Sequence, residues 1–176
     1  VLSWAGGQTV STIVVEGDTN LIQVNANIGR ASISGSQWQV GYRAESGWRF
    51  RGTANFTRGR DAVNGGPLAH IPPLFGRLSG ERSWDWLTLE AHVLWSGRKG
   101  LDRYGPGTTD NLAETLPGGN PGWWTVGSNL EGRLTERTTV SLGIHNILDR
   151  HYKVFASGIS APGRDIRCGI RWAPAG

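Results

Sequence analysis

The stretch Trp48-Arg49-Phe50-Arg51-Gly52-Thr53-Ala54-Asn55-Phe56-Thr57-Arg58 alternates from its first residue to its last but one. Trp48, Phe50, Gly52, Ala54 and Phe56 share one parity, and Arg49, Arg51, Thr53, Asn55 and Thr57 share the other. Successive side chains of a strand point to opposite faces, so this pattern predicts one apolar and one polar face on a single β-strand. An amphipathic helix would instead repeat its apolar residues every three or four positions.

The same alternation recurs downstream. From Asp85 to Trp95, the residues Leu87, Leu89, Ala91, Val93 and Trp95 oppose Thr88, Glu90 and His92. Trp124, Val126, Leu130 and Leu134 oppose Thr125, Asn129, Glu131 and Arg133, and Val140, Leu142 and Ile144 oppose Ser141, Gly143 and His145. Near the end, Ile166, Cys168, Ile170 and Trp172 oppose Asp165, Arg167 and Arg171. Shorter patterns place Trp38, Val40 and Tyr42 against Gln37, Gln39 and Arg43, and Leu74 and Leu78 against Arg77 and Glu81. With a further strand near Val10 to Val15, the pattern predicts about eight antiparallel strands and no substantial helix.

The connections differ in length by turns. Tight links at Glu45 to Gly47, Arg82 to Ser83 and Thr135 to Glu136 alternate with long polar ones over Glu16 to Gln23, Gly59 to Ile71, Gly97 to Pro121 and Leu148 to Pro162. Short turns at one end and long loops at the other are the layout of a transmembrane β-barrel, with the long loops extracellular. The last strand then runs towards the periplasm and leaves the C-terminus there. Most of the nine Trp residues, including Trp38, Trp48, Trp84, Trp86, Trp95, Trp123, Trp124 and Trp172, fall near strand ends, where indole rings favour headgroup depth.

Other classes find little support. Twenty-seven Gly residues are costly in helices, and no run approaches the roughly 18 apolar residues of a spanning helix. The net charge of +4 comes from Arg residues dispersed through the alternating strands rather than gathered in a nucleic-acid patch. The lone Cys168 allows no internal disulfide and reads as a buried or lipid-facing thiol. His92, His145 and His151 lack metal-ligand spacing. Glu81, Glu90, Glu131 and Asp165 share the polar parity with Arg49, Arg51, Arg77, Arg133, Arg167 and Arg171, which reads as a solvated charge ladder rather than a catalytic carboxylate pair. There is no nucleophile elbow, phosphate loop or zinc motif, so no enzyme activity, cofactor or metal is expected.

From about Asn20 to Trp172 the sequence resembles the C-terminal barrel region of TonB-dependent outer-membrane receptors. Asn146-Ile147-Leu148-Asp149-Arg150-His151-Tyr152 resembles the family's stretch closing the penultimate strand, and Ala161-Pro162-Gly163-Arg164 resembles the one opening the last. Upstream pieces agree in order: Asn27-Ile28-Gly29-Arg30-Ala31 to Gly35, then Gly66-Pro67-Leu68 with Ile71-Pro72-Pro73, then Pro117 to Gly122. Gln37 stands where the family commonly has an acidic residue, and Ala173-Pro174-Ala175-Gly176 follow the terminal aromatic Trp172.

The resemblance implies that residues 1–176 are the C-terminal part of an outer-membrane barrel of about 22 strands in a Gram-negative-type bacterium. It also implies import of a scarce, bulky nutrient (an iron chelate, cobalamin, sugar or peptide), powered by the inner-membrane protein TonB. The family's N-terminal plug and TonB-contact segment are not in this stretch, and Val1 opens mid-pattern with no signal sequence.

Within that frame Asn146, Asp149, Tyr152, Pro162, Gly163 and Arg164 read as architectural. Short polar side chains end a ladder, proline and glycine suit strand re-entry, and Arg164 is expected to pair with Asp149 or Asp165. The loop from Gly97 to Pro121 offers the ligand-contact candidates Arg98, Lys99, Asp102, Arg103 and Tyr104. Two competing readings remain open on the residues alone. One is a self-contained eight-stranded barrel, which requires the strand near Val10 to Val15 to pair with the one at Asp165 to Trp172. The other is a soluble carbohydrate-binding β-sandwich.

Overall fold

The structure, a computed structural model, describes residues 5–15, 18–27, 30–105 and 115–174, with side chains described from residue 30 onward. The strands are β1 (Ala5–Val15), β2 (Asp18–Asn27), β3 (Ala31–Arg43), β4 (Trp48–Asp61), β5 (Phe75–Ser83), β6 (Leu87–Ser96), β7 (Trp123–Thr135), β8 (Thr138–His145) and β9 (Asp165–Trp172). Leu101–Arg103 form one 3-10 turn. β1 and β2 make a two-stranded ladder, and β3 to β9 form a seven-stranded sheet in chain order, antiparallel throughout.

The register carries the alternation from strand to strand. Tyr42, Phe50, Gly80, Ala91, Ser128, Ile144 and Ile166 lie opposite one another in a single row across the sheet. One residue away, Arg43, Arg49, Glu81, Glu90, Asn129, Gly143 and Arg167 form the next row on the other face. A slip of one residue in any ladder would turn a strand's apolar set onto the polar face, so the two-residue period locks the register.

Among the described residues no second layer packs on this sheet. Among the described residues only Ala31 and Tyr104 are buried hydrophobics, while Val40 is 69% and Ile170 78% exposed, and Trp38, Tyr42, Phe50 and Leu78 are exposed with them. A soluble sandwich buries such a face against a second sheet about 10 Å away, and no such sheet is present among the described residues. An apolar face of this extent is what a transmembrane wall presents to lipid. Ser128, which lies in the apolar row, donates its Oγ to the Glu90 carbonyl at 3.0 Å, so its polar group is satisfied there.

The short turns follow from local chemistry. Ala44 to Gly47 close a tight turn through a bond from the Gly47 amide to the Ala44 carbonyl at 3.0 Å, and Gly47 takes φ +87°. Trp84 to Trp86 link β5 to β6, and Glu136 and Arg137 link β7 to β8.

Three expectations need correction. Among the described residues there are nine strands, one more than expected, because β2 occupies most of the segment read as a long connection from Glu16 to Gln23. Asp18, Thr19 and Asn20 are turn-forming types, yet in the ladder they continue β2, with Asp18 opposite Val15. The alternation of loop lengths breaks once, since only residues 28–30 separate β2 from β3. Finally, β1 pairs with β2 alone and β9 with β8 alone, so the closure required of a self-contained eight-stranded barrel is not formed. Residues 106–114 of the Gly97 to Pro121 loop, and Ile28 and Gly29 of the upstream resemblance, lie outside the described residues.

Candidate functional site

Three long connections gather at one end of the sheet: 62–74, 97–122 and 146–164. Lys99 ties them together. Its ammonium donates to the Ile71 carbonyl at 2.6 Å and lies 4.9 Å from the Tyr104 ring centroid and 3.7 Å from that of Phe155. These partners come from all three connections, and the Lys99 residue is only 2% exposed. Its backbone exchanges two hydrogen bonds of 2.9 Å with Asn120. Gly119, at φ +100°, passes so near the Lys99 carbonyl that a Cβ there would collide with it.

The five ligand-contact candidates therefore separate. Lys99 and Tyr104 are committed to this knot, with Tyr104 buried edge-on against Phe155 at 5.7 Å. Arg98, Asp102 and Arg103 are exposed and, with part of Lys99, line a recess of about 420 Å³ between the end of β4 and the first two loops. Arg58 and Arg60 of β4 line it from the other side, beside Pro67, Leu68 and Ile71. Four arginines and Lys99 thus belong to the lining of one recess whose single carboxylate is Asp102, and the Arg98 guanidinium donates to the Gly118 carbonyl at 3.2 Å.

Arg58 and Arg60 were not foreseen as site residues. The signal was available, because they continue the parity of Trp48, Phe50 and Phe56 but replace its apolar side chains with cations. The recess exists because β5 starts opposite Asn55, so above that level the β5-side edge of β4 meets the loop, through Leu68 to Gly59 and Asp61 to Gly66 backbone bonds, while its other edge stays paired with β3. Asp61 shapes the rim. Its carboxylate accepts from the Asn64 side chain at 2.7 Å and from the Val63 and Asn64 amides at 2.8 and 3.2 Å. The Asn64 amide, followed by those backbone donors, holds its carboxyl below the ordinary value of 3.8.

Lower on the polar face, Glu81 and Glu90 stand directly opposite in register. Like charges so placed repel, and each is compensated by its own arginine: Arg49 on Glu81 and Arg77 on Glu90. Asn129 also donates to Glu90 at 3.2 Å, and His92 Nδ1 lies 3.2 Å from the same carboxylate oxygen without hydrogen-bond geometry. The His92 and His145 rings are 5.8 Å apart, centroid to centroid. Asp165 pairs with Arg167 at 2.6 Å, and Glu131 lies 3.8 Å from Arg171. Among the described residues no three His, Cys, Asp or Glu side chains converge as metal ligands.

The connection from 146 to 164 is organised by Asn146, which adopts φ +48° and is 5% exposed. Its amide nitrogen donates to the Arg150 and Pro162 carbonyls at 2.8 and 3.3 Å, and its oxygen accepts from the Arg150 amide at 3.0 Å. Asp149, at φ +51°, accepts from the Arg164 backbone amide at 2.7 Å. Gly163 is pressed against this carboxylate, and a Cβ there would lie 2.5 Å from Oδ1. Tyr152 packs on Trp123 at 4.3 Å, and the Arg150 guanidinium covers Trp124 at 3.9 Å. The expected ion pair of Arg164 with Asp149 or Asp165 is corrected: its guanidinium donates to the Ile147 carbonyl at 3.0 Å, while Asp165 takes Arg167.

The profile of the family described as "TonB dependent receptor-like, beta-barrel" matches residues 6–147. Solved structures agree in fold. A copper transporter, OprC, is 16% identical with a TM-score of 0.73, over 96% of this chain and 27% of its own. The siderophore receptor PirA from Acinetobacter baumannii is 15% identical at TM-score 0.66, over 96% and 26%. A mutant of the ferric enterobactin receptor from Pseudomonas aeruginosa is 15% identical at TM-score 0.65, over 90% and 24%. The chain thus spans about a quarter of the length of these receptors. Sequence comparison with curated proteins gave no match. With the profile covering most of the strands, on an antiparallel lipid-facing wall, the chain belongs to the TonB-dependent receptor-like β-barrel family, whose members are outer-membrane proteins of Gram-negative bacteria.

Proposed function

We propose that this chain forms the C-terminal part of the wall of a receptor that imports a bulky, anionic metal chelate across the outer membrane, energised through TonB. The observation carrying this reading is the recess of about 420 Å³ at the long-loop end, lined by Arg58, Arg60, Arg98 and Arg103. Guanidinium groups suit planar carboxylate, catecholate or phosphate oxygens because each presents a rigid fork of donors. An uncharged sugar or peptide gains far less from four cations. The relatives named for copper, a ferric chelate and a siderophore point the same way.

In this reading the long loops are extracellular and the C-terminus is periplasmic, as loop asymmetry in outer-membrane barrels implies. Arg98, Asp102 and Arg103 contact the ligand, whereas Lys99 and Tyr104 hold the loops that present them. Asn146, Asp149, Tyr152, Pro162, Gly163 and Arg164 fix the entry of β9 and have no ligand role. The barrel wall itself does no chemistry.

The test is ligand binding by the intact receptor in detergent. A ferric tricatecholate should bind about tenfold or more weakly when Arg98 and Arg103 are both changed to Gln, since each lost charge-assisted bond is worth roughly 1.5–3 kcal/mol. Undiminished binding of that chelate, or equal binding of an uncharged disaccharide, would remove the anionic reading.

A further inference from the structure

At the short-turn end the apolar face carries a cation, Arg82, that has no acidic partner among the described residues. Arg82 lies opposite Trp48 on one side and Leu89 on the other, on the parity of Phe50, Leu78 and Val93. Its guanidinium sits 6.0 Å from the Trp48 ring centroid and 5.0 Å from that of Trp84. Among the described residues no carboxylate lies within ion-pair distance of it. Glu81, the adjacent acid, points to the other face and is held by Arg49.

On the same face, with its lining ending at Gly80 two residues before Arg82, lies an apolar trough of about 490 Å³. It forms because the positions facing lipid on β4, β5 and β6 are small: Gly52, Gly80 and Ala91. Tyr42, Phe50 and Val93 rise as its walls, and Phe50 stacks between Tyr42 at 6.4 Å and Trp48 at 6.0 Å. At its Gly80 end the trough is overhung by Phe50 and Trp48, and Arg82 follows Gly80 by one step of the same parity.

We propose that Arg82 and this trough are a binding site for one anionic phospholipid, its phosphate on Arg82 and an acyl chain in the trough. Each part alone is ordinary, and their junction is the argument. An arginine facing lipid is tolerated near the interface but gains from a counter-charge, and the two indole rings hold its guanidinium in place instead of letting it range through solvent. Held in this way, it presents its remaining N–H donors to phosphate oxygens at headgroup depth. The trough beside it is too apolar to keep water and is continuous with the bilayer interior. A free phosphate would use only the cation, and a neutral lipid only the trough.

The experiment titrates the intact receptor, in neutral detergent, with phosphatidylglycerol and separately with phosphatidylcholine, and counts retained lipid by native mass spectrometry. The unaltered protein should hold phosphatidylglycerol about tenfold more tightly. Arg82→Gln should abolish that preference, Arg82→Lys should keep most of it, and Gly80→Leu, which fills the trough, should weaken both lipids. Millimolar inorganic phosphate should displace nothing. Equal retention of the two lipids by the unaltered protein overturns the proposal, and this comparison needs no variant to fold. A preference that survives Arg82→Gln, or displacement by inorganic phosphate, overturns it as well.

Discussion

Lys99 and Arg82 are both cations seated on a pair of aromatic rings, yet they sit in opposite circumstances. Lys99 has Tyr104 and Phe155 for its cage, the Ile71 carbonyl for its acceptor and almost no exposure. Arg82 has Trp48 and Trp84 for its cage but no acceptor among the described residues. The difference separates two uses of one motif. A caged cation with an internal acceptor is a fastener, and a caged cation without one is a socket for an anion from outside.

The contrast breaks most visibly at Lys99. Lys99→Ala removes the bond to the Ile71 carbonyl and both ring contacts, and should destabilise the loop knot by about 2–4 kcal/mol, read as faster amide exchange across 97–104 and around Ile71. If exchange there is unchanged, Lys99 is not a fastener. A second, wholly polar fastener extends the comparison. Asn146→Ala deletes three hydrogen bonds and leaves a non-glycine residue at φ +48°, for about 2–3 kcal/mol, measured as protease sensitivity of the 146–164 connection.

Arg82→Gln sharpens the other side of the comparison. It should change thermal stability in lipid-free detergent by less than about 0.5 kcal/mol, because a partly exposed cation with no acceptor stabilises little by itself. A large loss in scanning calorimetry would mean that Arg82 is a fastener after all. The smallest effect is at Asp61. Its folded-state value is depressed, so the contribution of its cap is complete above 3.8 and disappears as the pH falls further through the folded value. The Val63 and Asn64 amides should therefore exchange normally at neutral pH and lose protection only in that acid range.

Legibility followed the same division between periodic and non-local information. The faces of β4 through β9 could be read from parity, because a period of two needs no knowledge of distant partners. β2 was hidden by Asp18, Thr19 and Asn20, whose side chains favour turns until a neighbouring strand recruits their backbone. Within the Gly97 to Pro121 loop, nothing local distinguished Lys99 and Tyr104 from Arg98, Asp102 and Arg103. Their fates depend on Ile71 and Phe155 in two other connections. Arg164 shows a similar limit: the adjacent acids suggested a salt bridge, but chain reversal brought the Ile147 carbonyl within its reach first.

The seven-stranded sheet ends in two unlike margins, the outer edge of β3 over thirteen residues and that of β9 over eight. Among the described strands neither margin has a further partner, so each can take another strand through its amides and carbonyls. Copies of this stretch expressed without a membrane would therefore meet edge to edge through either margin, and the product would be self-associated sheets of mixed size. Recovery of this segment from inclusion bodies therefore calls for refolding in detergent, at concentrations low enough that detergent covers the apolar face before two edges meet.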